Sequence, residues 1–172
     1  MSTIKKHYYG WTIIAVGGVI IFFSGPGQTY SMSMFIDELV STLNFSRSTI
    51  SGVYSIATLF AGFTLPIIGR KLDTLGHKKM VVIIAFALAL ASLWMSFVSS
   101  LWMLAIGFYL MRLFGQGSMT LSANTLLPKW FKDKRAIAFS LMAIGGVLGS
   151  SAIPVINAFL ISNFSISLAW QF

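Results

Sequence analysis

Long apolar runs separated by short polar punctuation fill this chain. The first run extends from Trp11 to Phe23, breaks at Gly25-Pro26-Gly27, and resumes through Gln28, Tyr30 and Ser31 to Ile36. Others occupy Ser48 to Ile68, Met80 to Phe97, Leu101 to Leu127 and Ala136 to Phe159, and Ser165 to Phe172 opens a sixth. A helix needs about 20 apolar residues to cross roughly 30 Å of hydrocarbon. The pattern therefore predicts helices over about 8–36, 48–68, 79–98, 101–127 and 136–159, with a further one starting over 165–172. The expected fold is an all-α polytopic membrane protein with five complete transmembrane helices plus the start of a sixth. A helix that stops partway through lipid leaves backbone groups unpaired, so the sequence reads as a fragment of a longer protein.

Polar and small residues within the runs carry the next layer. Pro and Gly inside a span free backbone groups that protein or cavity water must satisfy. Gly25-Pro26-Gly27 is thus either a plain kink or the break of a helix lining a substrate path, with Gln28 and Tyr30 beside it. Asp37 and Glu38 open a polar loop that ends near Arg47. In the second run, Ser51, Ser55, Thr58 and Gly62 share one helical face, and close helix packing is the preferred reading. The third run carries no charge and is apolar nearly all round, as expected of a peripheral, lipid-facing helix.

The fourth run is the most informative, because it contains Arg112. A central arginine costs about 2.5–3.5 kcal/mol on insertion scales, and the run's Leu, Ile and Phe residues offset this at about 0.3–0.6 kcal/mol each. At 100° per residue, Tyr109, Arg112, Gln116, Thr120 and Asn124 form one polar stripe. Arg112 must then face protein or water, in structural hydrogen bonding or in a transport role. In the fifth run, Gly145, Gly146, Gly149 and Ser150 provide small-xxx-small pairs suited to a close helix crossing.

Composition agrees with a membrane protein and narrows the chemistry. Of 172 residues, 56% are hydrophobic and 9% charged, against about 25% charged in soluble domains. The net charge of +8 points away from nucleic acid once its residues are located. Lys5, Lys6, Arg70, Lys71, Lys78, Lys79, Lys129, Lys132, Lys134 and Arg135 all lie in the tail and two alternate loops. Arg47 alone occupies the opposite side, and the positive-inside rule then makes the N-terminus and both basic loops cytoplasmic. The aromatic-basic run Pro128-Lys129-Trp130-Phe131-Lys132-Asp133-Lys134-Arg135 reads as an interface anchor and topology signal. The absence of cysteine excludes disulfides and thiol chemistry. Two distant histidines, His7 and His77, argue against a metal site. Neither cofactor nor metal is implied, and the chain carries no HExxH, no intramembrane acid pair, no Ser/His/Asp set and no phosphate-binding Gly-Lys loop, so an enzyme is not expected.

With runs and loops placed, Gly69 to Lys78 resembles the signature loop between helices 2 and 3 of the major facilitator superfamily. Gly69, Asp73, Gly76 and Lys78 match its pattern, Thr74 stands where a basic residue is usual, and His77 where Arg is frequent. Arg112, Gly115 and Gly117 are similar to the helix-4 motif. Tyr9-Gly10-Trp11 and the stretch Trp130 to Ala138 resemble the monocarboxylate and oxalate/formate branch, and Ala169-Trp170-Gln171-Phe172 resembles the start of helix 6.

The resemblance implies the N-terminal six-helix half of a twelve-helix transporter, the C-terminal half being absent. Helices 1 and 4 would line the path, and Asp73 would cap a helix of the opposite half when the cytoplasmic side closes. Three features depart from the branch: Gln28, Thr29 and Tyr30 stand where monocarboxylate carriers place a lysine, Gly149 precedes Ser150 where antiporters have Gly-Pro, and no acid lies within a span. The expected function is secondary active transport of a small organic anion, such as a mono- or dicarboxylate, by alternating access. A carrier of a drug or other neutral solute is the alternative, and, from another class, a small self-associating membrane receptor or structural protein. Expected substrate-path residues are Gln28, Tyr30, Arg112, Gln116 and Asn124. The expected gate residues are Gly69, Asp73, Gly76, His77 and Lys78, and the packing glycines Gly145 and Gly149. Lipid and the missing half are the expected partners besides the substrate, and the plasma (inner) membrane the expected location.

Overall fold

The structure is a computed structural model that describes residues 2–131, 133–164 and 166–170. The described residues form eight α-helices joined by short turns, with two irregular helical segments among them. α1 spans Ser2–Phe23, followed by a 3₁₀ turn at Gly25–Gly27 and α2 at Thr29–Leu43. Then come α3 (Arg47–Leu75), α4 (His77–Ser96) and α5 (Leu101–Met111), a π-helical segment at Arg112–Met119, α6 (Thr120–Trp130), α7 (Arg135–Asn163) and α8 (Ile166–Ala169). α3, α4 and α7 are each long and apolar enough to cross a membrane. The first and fourth apolar runs are interrupted, one by the 3₁₀ turn and one by the π segment.

The break in the first run has a local cause. Pro26 cannot donate an amide, and the chain tightens into i→i+3 bonds, Gly27 N–H to Ser24 O at 3.1 Å and Gln28 N–H to Gly25 O at 2.9 Å. Gln28 is extended, and α2 restarts behind it. α2 continues well past Ile36 and takes Asp37 and Glu38 into the helix, which corrects the expected polar loop. Asp37 pairs there with Arg47 at 2.7 Å, an exposed contact worth about 0–1 kcal/mol, and Asn44, at φ 55°, supplies the left-handed stop. Ser46 then caps α3 by accepting from the Thr49 amide at 3.1 Å.

The basic hairpin is also more helical than expected. α3 runs to Leu75 and α4 begins at His77, so Gly76 alone makes the turn, at φ 81° and ψ 155°. That region of backbone space is essentially restricted to glycine. Gly76→Ala is therefore expected to destabilise the protein by about 1–3 kcal/mol, read as a lower melting temperature in detergent. An unchanged melting temperature would show that the turn relaxes freely.

Packing places the site. α1 lies most extensively against α7, and α3 against α5 and the π segment, with α4 on their other side and α8 touching α4 and α7. The α1–α7 crossing is tight at Gly18 and Gly145, where a Cβ on Gly145 would meet the Gly18 carbonyl. One apolar core joins the helices through Phe35, Leu72, Ile84, Leu104, Phe108, Met111, Leu127 and Met142.

Two helices show which of their faces pack within the chain. α4 is the most buried of the three long apolar helices, with 33% of its apolar window buried against 11% in α3 and 17% in α7. Its Met80, Ile84, Leu88, Ala91 and Met95 face the core while Val82, Ile83, Phe86 and Leu90 face outward. An apolar side chain suits protein and lipid equally, so composition does not separate the two faces. In α3, Gly62 is exposed and a Cβ there would meet nothing within 4 Å. The small-residue stripe of this helix therefore makes no close crossing at Gly62 among the described residues.

Candidate functional site

Arg112 sits where α2, α3 and the π segment converge. Its Nε donates to Thr58 Oγ1 at 3.1 Å, and Nη1 donates to Thr29 Oγ1 at 3.1 Å and to the Gly27 carbonyl at 3.4 Å. The guanidinium carbon lies 5.1 Å from the centroid of the Tyr54 ring, within the range of a cation–π contact. The Tyr54 hydroxyl donates to Thr29 Oγ1 at 3.3 Å, and its ring meets Phe108 edge-on. Every one of these partners is neutral. Among the described residues Arg112 has no carboxylate partner, and its Nη2 makes no hydrogen bond.

The chain break and the arginine thus belong to one site: the last residue of the 3₁₀ turn offers its carbonyl to the guanidinium. Close backbone approach makes this possible. A Cβ on Gly27 would lie 2.6 Å from Gly115 Cα and 3.0 Å from the Gln116 amide nitrogen, besides striking the Met111 carbonyl. Only glycine fits between these backbones.

Gln28 extends the polar seam, donating from Nε2 to Ser24 Oγ at 2.9 Å and to Thr120 Oγ1 at 3.4 Å. Gln116 is half-buried, and its Oε1 has no hydrogen-bond partner. Tyr109 turns to α3, its hydroxyl 3.0 Å from Thr64 Oγ1. Tyr30 and Asn124 lie outside the cluster. The Tyr30 hydroxyl would touch a Cβ placed on Gly149 at 3.1 Å or on Gly25 at 3.3 Å, so it lies between the 3₁₀ turn and α7, and Asn124 is exposed.

The stripe divides because the helix changes pitch. Over Arg112–Met119 the backbone takes i→i+5 geometry, and Ser118 Oγ donates to the Leu113 carbonyl five residues back at 2.6 Å. A phase of 100° per residue does not hold across it. Pattern reasoning missed this segment, and missed Thr29, Tyr54 and Thr58 as partners of Arg112; Gly115 and Gly117, weak helix formers in mid-span, were the available signal.

The signature loop forms a second cluster, on α6. Asp73 Oδ1 lies 3.8 Å from Lys129 Nζ, His77 Nε2 lies 3.1 Å from Thr125 Oγ1, and Gly69 approaches Leu121 Cδ2. Lys78 is exposed. Lys129 thus lies within ion-pair distance of the loop acid. Both partners are largely exposed, and such pairs contribute about 0–1 kcal/mol, so Asp73 is loosely held. Nearby, Tyr9 and Trp130 stack at 6.4 Å between centroids, and the Phe131 ring covers Gly10. Lys132 lies outside the described residues.

A half-buried cation among broken and bulged apolar helices is a feature of functional sites in helical membrane proteins, transporters among them. The particular family follows from comparison. Residues 17–172 match the model of the Major Facilitator Superfamily, and the chain belongs to that family of transporters. It is 24% identical over 161 residues to the MFS transporter asaE of Aspergillus flavus, covering 92% of this chain and 36% of that protein. It is 25% identical over 153 residues to an MFS-type transporter of Gibberella moniliformis, covering 87% of this chain and 34% of that protein. The chain thus spans about a third of the length of these relatives. No solved structure matches it.

Proposed function

We propose that this chain is the N-terminal part of a secondary transporter that moves a small organic anion, a mono- or dicarboxylate, by alternating access. One observation carries the proposal: Arg112 holds a full positive charge in a polar seam with only neutral partners. A cation so placed is complementary to a carboxylate, which its remaining edge, Nη2, is suited to receive. Gln28, Gln116 and Thr120 would line the same path. This reading keeps the resemblance to the monocarboxylate and oxalate/formate branch, puts the basic loops and the N-terminus in the cytoplasm of a plasma (inner) membrane, and assigns the rest of the path to the remainder of a longer protein. A carrier of neutral solutes is the second reading, favoured by how many hydrogen bonds Arg112 already makes.

The two separate in an uptake assay. The full-length protein in vesicles is offered radiolabelled mono- and dicarboxylates beside uncharged drugs and sugars. Saturable uptake of a carboxylate is expected, whereas uptake restricted to uncharged solutes would sink the anion assignment.

Asp73 is the proposed gate residue, exchanging Lys129 for a helix N-terminus of the remaining half as the cytoplasmic side closes. A carboxylate there is favourable by about 0.3–1 kcal/mol. Asp73→Asn is accordingly expected to slow uptake about two- to fivefold at an unchanged membrane level. Full activity would reduce the loop to a topology signal.

A further inference from the structure

A guanidinium carries its N–H donors in one rigid plane, and those of Arg112 are unequally spent. The single N–H of Nε goes to Thr58 Oγ1, and the pair on Nη1 goes to Thr29 Oγ1 and the Gly27 carbonyl. What remains free belongs to Nη2. A carboxylate binds a guanidinium best through a fork, two parallel bonds from neighbouring nitrogens. Either fork of Arg112 needs Nη2 together with Nε or Nη1, and both of these are occupied. A carboxylate reaching Nη2 is thus held by one nitrogen, and its second oxygen is left without a donor from Arg112.

The hydroxyls around Arg112 differ in what they have left to give. Each has a single proton to donate and two lone pairs with which to accept. Thr58 Oγ1 gives its proton to the Tyr54 carbonyl at 2.8 Å, and the Tyr54 hydroxyl gives its own to Thr29 Oγ1 at 3.3 Å. Thr29 Oγ1 accepts from Tyr54 and, at 3.1 Å, from Arg112 Nη1. Both its lone pairs are then in use, and its proton has no acceptor among the described residues. Nη1 and Nη2 share the guanidinium carbon, so this hydroxyl stands beside the free edge of Arg112.

We propose that Thr29 is a second carboxylate-binding residue, whose hydroxyl donates to the oxygen that Nη2 leaves unbonded. Nη2 and Thr29 Oγ1 together take the place of the fork that Arg112 cannot offer. Thr58, its proton already spent, serves to hold Nε. This role rests on the carboxylate reading above and adds to it a residue that meets the substrate directly.

The probes are propionate and succinate, isotopically labelled at the carboxyl carbon and titrated into the purified full-length protein. Thr29→Val keeps the branched shape and loses the hydroxyl, and should weaken binding about ten- to hundredfold. Thr29→Ser restores the hydroxyl and should recover most of that affinity. Infrared difference spectra at saturation then report on the carboxylate itself. Its antisymmetric stretch should move to higher frequency in Thr29→Val, where one hydrogen bond is lost, and return towards the wild-type position in Thr29→Ser. The same band in wild type and Thr29→Val would overturn the proposal even if affinity falls, because Thr29 would then act only by holding Arg112. If the valine is not tolerated in the membrane, Thr29→Ala is read in the same way. Equal affinity in wild type and Thr29→Val would also overturn the role of Thr29 while leaving the carboxylate reading in place. Wild-type protein that binds neither probe would take down both.

Discussion

Gly27→Val is expected to be among the most damaging single substitutions in this protein, lowering stability by about 3 kcal/mol or more. The atoms its side chain would strike, the Met111 carbonyl, Gly115 Cα and the Gln116 nitrogen, are all backbone. A flexible side chain could swing aside, but a helix backbone can yield only by moving the helix. Native stability is about 5–15 kcal/mol in total, so much of the population would fail to assemble. The loss should appear as reduced membrane level and a lower melting temperature in detergent. Gly62→Ala is the matched control: its Cβ would meet nothing, and the helix-forming preference of alanine over glycine, about 1 kcal/mol, predicts no loss of stability. Equal behaviour of the two variants would contradict the close approach of the 3₁₀ turn to the π segment.

Arg112 gives the second large effect, and here function should fall more than stability. Arg112→Gln removes the charge and leaves Thr58, Thr29 and the Gly27 carbonyl without their shared donor. Truncating one partner of a buried, hydrogen-bonded charge pair costs about 2–5 kcal/mol, so carboxylate uptake should drop by more than about tenfold. Arg112→Lys keeps the charge but has no planar fork with which to reach three acceptors together. Its uptake should fall between wild type and Arg112→Gln. Normal carboxylate uptake by both variants at normal membrane level would make Arg112 a structural residue. Loss of membrane level in step with uptake would do the same.

Much of this site is legible in the sequence because membranes make polar residues expensive. Arg112 stands out for that reason alone, and Gly25-Pro26-Gly27 stands out because proline and glycine interrupt a helix that lipid would otherwise enforce. What pattern cannot show is that these two features meet. Thr58 sits in a stripe of small residues whose bland interpretation is packing; only the path of α3 past the π segment turns it into a partner of Arg112. The π segment itself is marked only weakly, by Gly115 and Gly117, and the close approach of Gly115 to Gly27 lies between residues far apart in the chain. Tyr30 is expected beside the break and Asn124 on the polar stripe, but which neighbours they meet is not written in the pattern: the Tyr30 hydroxyl lies by Gly149 of α7 and Asn124 makes no hydrogen bond with the Arg112 cluster. The hairpin shows the same division. Its charges and Gly76 are plain in the sequence, whereas the reach of Asp73 to Lys129 depends on how α3 and α6 end side by side.

The central claim is that the uncompensated charge of Arg112 awaits a carboxylate. Calorimetric titration of a transported carboxylate into the purified full-length protein tests it most directly, with Arg112→Gln titrated alongside. The account predicts saturable binding to the wild-type protein and at least about tenfold weaker binding to the variant. The same dissociation constant in both proteins would contradict it.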